Sequence, residues 1–525
     1  MPHCAESFSE QEKLLKKSKR GLLRVVFGRT MVILLALALQ FFLLFVFMFG
    51  LFQNVPLLFG GTIAFTAIML LYLLNTRDHP SIKLTWCFII AVLPLFGALL
   101  YFFVRYDFGH RVMYRLIDRS IRAGSQYLPD WTLQMDQLKQ EDPKLYHLAH
   151  YLRQHGGNTL YGNTEVRYFP LGEEKFSEML IQLEQAERFI FLEYFSIAPS
   201  YMWDSILEIL IRKAAQGVEV RVMYDGSCAV SYLPYHYPKQ LQKLGIRCKM
   251  FSPFRPAVST HYNNRDHRKI LIIDGHTAFT GGVNLLDRYI NRKQVYGHWK
   301  DTAIMVKGEA AQGFTNMFLQ MWNATEKEQV YQPYLATTPV IGSEGYVIPY
   351  CDSPLDHERV GEMVYLNMLN QAQDYVYIMT PYLILDNEME TALCFAAKRG
   401  VDVRLILPHI PDKKYAFALA KNHYPALLQA GVKIYEYTPG FIHAKVFLCD
   451  DREAVVGTIN LDYRSLYLHF ECAAYLYRVP ALQDIKQDFA QTMSVSQQIS
   501  PRDIRKRSLL SRLTGALLKV IAPLM

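Results

Sequence analysis

Cysteine is scarce: Cys4, Cys87, Cys228, Cys248, Cys351, Cys394, Cys449 and Cys472 are the only eight in 525 residues, and no two form a C-x-x-C pair. A disulfide scaffold and a thiolate metal cluster are thereby excluded, and unpaired cysteines favour a reducing compartment. Charge is also short, at 20% of residues against 51% hydrophobic. So hydrophobic a chain is not a disordered one. Most telling is a local absence. Residues 30–76 contain no Asp, Glu, Lys or Arg over 47 positions.

As one helix that run would extend about 70 Å, against a bilayer core of about 30 Å. Asn54 and Pro56 interrupt it, leaving candidate spans at residues 31–52 and 56–74, and a third uncharged run covers residues 84–104. Three long runs exclude a cleaved signal peptide, whose apolar region is shorter. Lys13, Lys16, Lys17, Lys19, Arg20, Arg24 and Arg29 precede the first span, while Arg105, Arg111, Arg115, Arg119 and Arg122 follow the last. Both clusters favour the cytoplasm. Three full spans cannot satisfy both, so two or three spans, and the membrane face of the remainder, stay open.

Beyond residue 156, strand-like runs alternate with helical patterns, the rhythm of an α/β fold. Residues 189–194 and 218–224 read as strands, with a helix over residues 202–216 ended by Gly217. The unit recurs. His267, Lys269 and Asp274 are matched at an offset of 176 by His443, Lys445 and Asp450, and the offset persists through Gly281/Gly457 and Asn284/Asn460. That period is too long for a solenoid and implies a duplicated domain about a pseudo-two-fold axis.

Alternation along a strand turns His267 and Lys269 to one side. Gly281 is read as a turn that returns Asn284 beside the histidine. Two halves face to face then offer two imidazoles, two ammonium groups and two amides, a set suited to an anionic phosphodiester. Lys269, Asn284, Lys445 and Asn460 hold the phosphate oxygens, one histidine attacks phosphorus and the other protonates the leaving oxygen. One such motif arises by chance; two in register do not. A nucleophilic histidine needs a carboxylate on its other nitrogen. Asp301 and Glu471 follow the motifs by 34 and 28 residues and are the candidates, with surface strand-edge roles as the alternative. Asp274 and Asp450 complete the motifs at the far strand ends and read as structural ion-pair partners.

These motifs resemble those of the phospholipase D superfamily. His267 to Asn284, Gly431 to Lys445 and Gly457 to Ser465 are similar to the sites of bacterial cardiolipin synthases, and residues 84–104 to the membrane segment before them. His469 and Asp266 depart from that pattern, which more often has Asn at each place. The resemblance implies two duplicated phospholipase D-like α/β domains around a pseudo-two-fold site, preceded by N-terminal transmembrane helices in a bacterial plasma membrane. It implies phosphatidyl transfer between phosphatidylglycerol molecules, releasing glycerol, with His267 as nucleophile and His443 as acid and base. It requires no metal or cofactor, because the lysines supply the positive charge. Its partners are phosphatidylglycerol, other anionic phospholipids and the membrane rather than nucleic acid. A hydrolytic phospholipase D and a catalytically dead lipid-binding scaffold are the rival readings.

The expected organisation is a basic tail (residues 1–30), a membrane region (31–104), a polar connector (105–156), two catalytic domains (157–330 and 331–495) and a basic C-terminal segment (496–525). In that last segment Arg505, Arg512 and Lys519 share one helical face, opposite Leu510, Leu513, Leu517, Ile521 and Leu524. Such a helix lies on an anionic membrane, or else packs on the core with its basic face solvated.

Overall fold

Two sheets with the same strand order carry the fold. The computed structural model describes residues 56–524 apart from residues 77, 106–107, 158, 254–263, 336–341, 357, 506–514 and 521. The first sheet runs, edge to edge, Thr164–Phe169, Ala303–Gly308, Thr277–Gly281, Lys269–Ile273, Phe189–Tyr194, Glu219–Asp225 and Arg247–Phe251. The second repeats it with Tyr346–Asp352, His469–Tyr477, Glu453–Gly457, Val446–Cys449, Tyr375–Met379, Asp402–Pro408 and Lys433–Tyr437, then adds Ser496–Gln498. Even the register is shared: Ile270 lies opposite Thr280, and Val446 opposite Val456. The duplication read from the motifs is thus a duplication of topology. The helix between the first two parallel strands spans Tyr201–Ala215, and Gly217 leaves it with φ +92°, a conformation that suits glycine.

One core joins the halves. Phe191, Ile272 and Ile304 of the first sheet and Val446, Val456 and Cys472 of the second belong to a single buried cluster. The helix Ala310–Asn323 lies within that cluster, buried at every position but Gln312, and Phe314, Met317 and Phe318 fill the space. Each such side chain contributes about 1.5–3 kcal/mol by leaving water.

Residues 105–156 do more than connect. They form helices at Phe108–Ser125, Thr132–Glu141 and Pro143–His155. Leu145, Leu148, Ala149 and Leu152, spaced along one helical face, pack into the outer core of the second half.

The membrane region differs from the expectation. Residues 31–52 lie outside the described residues. Helix α1 is Pro56–Leu74, but residues 84–104 are not one helix. They divide between α2 (Pro80–Val92) and α3 (Pro94–Arg105). Pro94 explains the break, because it lacks an amide hydrogen and drives Leu93 out of helical geometry, to φ −134° and ψ 72°. Gly97 then lets the two helices touch, since a Cβ there would lie 3.0 Å from the Cα of Ile90. Among the described residues, no helix is long and apolar enough to cross a membrane. The hairpin docks on the second half and on the C-terminal segment: the His79 side chain pairs with Glu388 at 3.0 Å, and the Thr85 hydroxyl donates to the Val520 carbonyl at 2.7 Å. Leu517, placed by sequence on an apolar face, is 65% exposed, while Leu510 and Leu513 lie outside the described residues.

Candidate active site

Short parallel pairings between the halves build the site. Arg265–Asp266 pairs with the start of the strand His469–Tyr477, setting Asp266 opposite Phe470. His298–Lys300 pairs with Gly440–Ile442, setting Lys300 opposite Ile442. The amide of His267 donates to the Phe470 carbonyl at 2.9 Å, and that of His443 to the Lys300 carbonyl at 2.6 Å. The next residue along each partner strand is a carboxylate. His267 Nδ1 therefore meets Glu471 at 2.8 and 2.9 Å, 204 residues away, and His443 Nδ1 meets Asp301 at 2.6 Å, 142 residues away. Both carboxylates contact the motif histidines, but crosswise. Spacing alone left open which histidine each carboxylate meets, and the register of these pairings sets it.

All four groups, with Lys269 and Lys445, are buried. Each motif lysine donates to the carbonyl of its histidine, Lys269 to His267 at 2.5 Å and Lys445 to His443. His267 itself precedes the strand Lys269–Ile273, so the strand alternation invoked for it begins only at the lysine. Burial pushes Lys269 down to about 8 and Lys445 to about 7 against the attraction of nearby carboxylates. Burial likewise pushes both motif histidines well below their ordinary value. The carboxylates diverge. Burial raises Asp301 to about 6 despite Lys445. Burial also acts to raise Glu471, but the contacts from His267 and His469 outweigh it and hold the carboxyl well below the usual range.

Asn284 and Asn460 are buried beside the site, but unequally satisfied. The Asn284 carbonyl accepts from the Ser196 amide at 3.1 Å and its amide donates to the Tyr289 hydroxyl at 2.8 Å. The side-chain oxygen of Asn460 has no hydrogen-bond partner. Gly281 ends its strand rather than making a turn, and it is there for closeness: a Cβ would fall 2.4 Å from the Thr302 carbonyl oxygen.

Asp274 and Asp450 were expected to form ion pairs; their partners are backbone amides instead. Asp274 accepts from the amides of Glu187, Arg188 and Phe189 at 2.7–2.8 Å, and Asp450 from those of Gln373, Asp374 and Tyr375 at 2.7–2.9 Å. Both adopt left-handed geometry, with φ 54° and 51°. They anchor the entry to the neighbouring strand, away from the chemistry. Asn tolerates that backbone, but Asp274→Asn removes the charge and replaces one of the two accepting oxygens with an NH2 that cannot accept from the backbone amide facing it. It is expected to cost about 2–3 kcal/mol, read as a lower melting temperature, while the motif histidines keep their carboxylates.

Sequence reasoning missed three residues. Thr458 donates its hydroxyl to Glu471; its counterpart is Gly282, where any Cβ would lie 2.0 Å from an Asp301 oxygen. The Tyr289 ring, from the first half, stands against His443 of the second at 5.4 Å. Lys175 is fully buried near Asp301, pushed by burial to about 7. The 176-residue offset pairs Thr458 with Gly282, a signal present in the sequence but meaningless before the carboxylates are placed.

Comparison with known proteins agrees with this architecture. The profile of the family described as "Cardiolipin synthase, PLD-like domain" matches residues 179–322 and 365–493, and one described as "Phospholipase_D-nuclease N-terminal" matches residues 64–105. A cardiolipin synthase of Alkalihalophilus pseudofirmus is 32% identical, covering 90% of this chain and 94% of that protein. One of Halalkalibacterium halodurans is 31% identical over 88% and 93%. An uncharacterised protein of Streptococcus mutans is 54% identical over 87% and 99%. In fold, the chain is similar to the crystal structure of a phosphatidylserine synthase of Haemophilus influenzae, at a TM-score of 0.52 and 15% identity, covering 69% of this chain and 93% of that one. Profile, relatives and duplicated sheets agree: the chain belongs to the cardiolipin synthase family of the phospholipase D superfamily.

Proposed function

We propose that this protein is a cardiolipin synthase, a phosphatidyltransferase that joins two phosphatidylglycerol molecules and releases glycerol. The observation that carries the mechanism is the pair of crossed histidine–carboxylate contacts, because a carboxylate on Nδ1 leaves Nε2 of each ring for the substrate. His267 Nε2 attacks phosphorus, a P–N bond forms, and the P–O bond to glycerol breaks as His443 supplies the proton to the departing oxygen. A hydroxyl of the second phosphatidylglycerol then gives its proton to His443 and attacks phosphorus, and the P–N bond breaks to release cardiolipin.

The two pairs suit different roles. His267 backs onto a carboxylate held ionised, which offsets the positive charge of a phosphatidyl-histidine. The Nδ1 of His443 also faces the Lys445 ammonium at 3.0 Å, which favours giving up a proton. Lys269, Lys445, Asn284 and Asn460 are assigned to the non-bridging oxygens. Asp274 and Asp450 support the strands that present them. We take residues 157–330 and 331–495 as the two catalytic halves.

A lipid setting is supported by the hairpin's surface, where Leu84, Phe88, Val92 and Leu99 are each more than half exposed. Large exposed apolar groups in one small unit mark a membrane contact. We place the protein at the bacterial plasma membrane.

The test is purified protein with phosphatidylglycerol in mixed micelles. Cardiolipin and glycerol are expected in equal amounts; phosphatidic acid as the main product would overturn the reading. Lysine charge sets the alkaline limit. A lysine lowered by burial is charged below its pKa and neutral above it, so anion binding is lost as pH rises through about 7 for Lys445. Above that point kcat/KM is expected to fall by up to about tenfold per pH unit, and Lys445→Arg should move the limb upward. A pH profile of both proteins checks this.

A further inference from the structure

His469 is a buried group that the transfer mechanism leaves unused. It opens the strand His469–Tyr477 and is 8% exposed. Neither of its ring nitrogens has a hydrogen-bond partner. A buried polar group left this way costs about 1–3 kcal/mol and calls for an explanation. Its surroundings are specific. His469 and Glu471 lie two apart on one strand and so share a face. His469 Nδ1 stands 3.7 Å from Glu471 Oε1, and the ring centroid lies 5.4 Å from that of His267.

We propose that His267, His469 and Glu471 form a site for a Zn²⁺-class cation whose occupation switches the enzyme off. One ligand atom from each residue lies within 4.8 Å of the other two, and all three residues are buried. Tetrahedral zinc with bonds of about 2.0–2.1 Å sets its ligands about 3.3 Å apart. The His267 Nδ1 to Glu471 Oε1 and His469 Nδ1 to Glu471 Oε1 distances, 2.8 and 3.7 Å, bracket that value. Small rotations of the rings would therefore suffice. Two imidazoles and one carboxylate select zinc and its neighbours over Mg²⁺ or Ca²⁺, which take oxygen ligands. Thr458 donates to Glu471 Oε2, while Oε1 is the oxygen that stands between the two imidazoles and would take the ion in place of the His267 ring proton.

Among the described residues, the opposite pair has no such third His, Cys or carboxylate ligand. The residue two before Asp301 is Trp299, whose ring stands 5.4 Å from that of His443 and cannot ligate. The site is therefore a property of one half-site rather than of the fold's symmetry. The inhibition follows from the tautomer. With Glu471 on Nδ1, the ring proton sits there and Nε2 keeps the lone pair that attacks phosphorus. An ion on Nδ1 moves that proton to Nε2, and the lone pair is gone.

The inhibitory part rests on the reading of His267 as nucleophile, but the binding part does not. Intact protein, freed of metal by chelator, would be titrated with Co²⁺ by visible absorption and then with Zn²⁺ as competitor. One tetrahedral Co²⁺ band per chain, displaced by Zn²⁺, is expected, with His469→Asn weakening binding at least about tenfold. Phosphatidyl transfer should fall in step with zinc occupancy and return with EDTA. Absence of a saturable Co²⁺ band in the wild-type protein overturns the site, as does unchanged affinity in a folded His469→Asn variant. Full transfer activity with zinc bound overturns the switch while leaving the site. A wild-type enzyme without transfer activity that still shows the band condemns the proposed function and not the site.

Discussion

A His267→Asn enzyme is expected to make cardiolipin at least about 10⁴-fold more slowly and to carry no labelled phosphatidyl adduct after quenching. The reason is that the nucleophile has no substitute. Asparagine can keep a hydrogen bond to Glu471 but offers no lone pair at the position of Nε2. His443→Asn should differ in kind. Loss of the acid slows formation of the adduct by about 10²–10⁴-fold, and loss of the base slows its consumption. With a donor lipid whose leaving group needs no proton, His443→Asn should form adduct and hold it. Radiolabelled phosphatidylglycerol and rapid quenching read both quantities. Wild-type turnover in both variants would mean that the chemistry lies elsewhere.

The second large effect follows from the crossing. Glu471→Gln is expected to lower turnover by about 10²–10⁴-fold, comparable with the loss of a histidine-orienting carboxylate in other enzymes. The lost step should be adduct formation, because Glu471 holds His267, the residue 204 positions before it. Asp301→Asn should instead impair proton transfer through His443. Double-mutant cycles make the assignment sharp. His267→Asn with Glu471→Gln should be strongly non-additive, as should His443→Asn with Asp301→Asn. If coupling appears instead between His267 and Asp301, the register of the short parallel strands is wrong.

Much of the site was legible because its signals are local. His267, Lys269 and Asp274 lie within eight residues, and their echo at a constant offset needs no structure to see. The carboxylates were named as well, but their partners were not, since pairing depends on where two remote strand ends meet. Asp274 and Asp450 were misread for a related reason. An acidic residue at a strand end suggests a cation, while its left-handed backbone and the amides it caps appear only in three dimensions. Pro94 is another matter. A proline within an apolar run marks a break in any sequence, and here hydropathy masked it. The helices at residues 105–156 were hidden by averaging, because Leu145, Leu148 and Leu152 sit among polar residues on the other faces.

The crossed contacts also bear on how such a chain can be inherited. A recombination breakpoint between the two sheets would seem harmless, since each side carries a whole motif. It is not. A chimera joined there would assemble each catalytic pair from two parents, one lending the imidazole and the other its carboxylate. Residues 267 and 471, and residues 301 and 443, are therefore contacts that any such breakpoint separates, and their geometry is inherited intact only where the two parental halves meet in the same register.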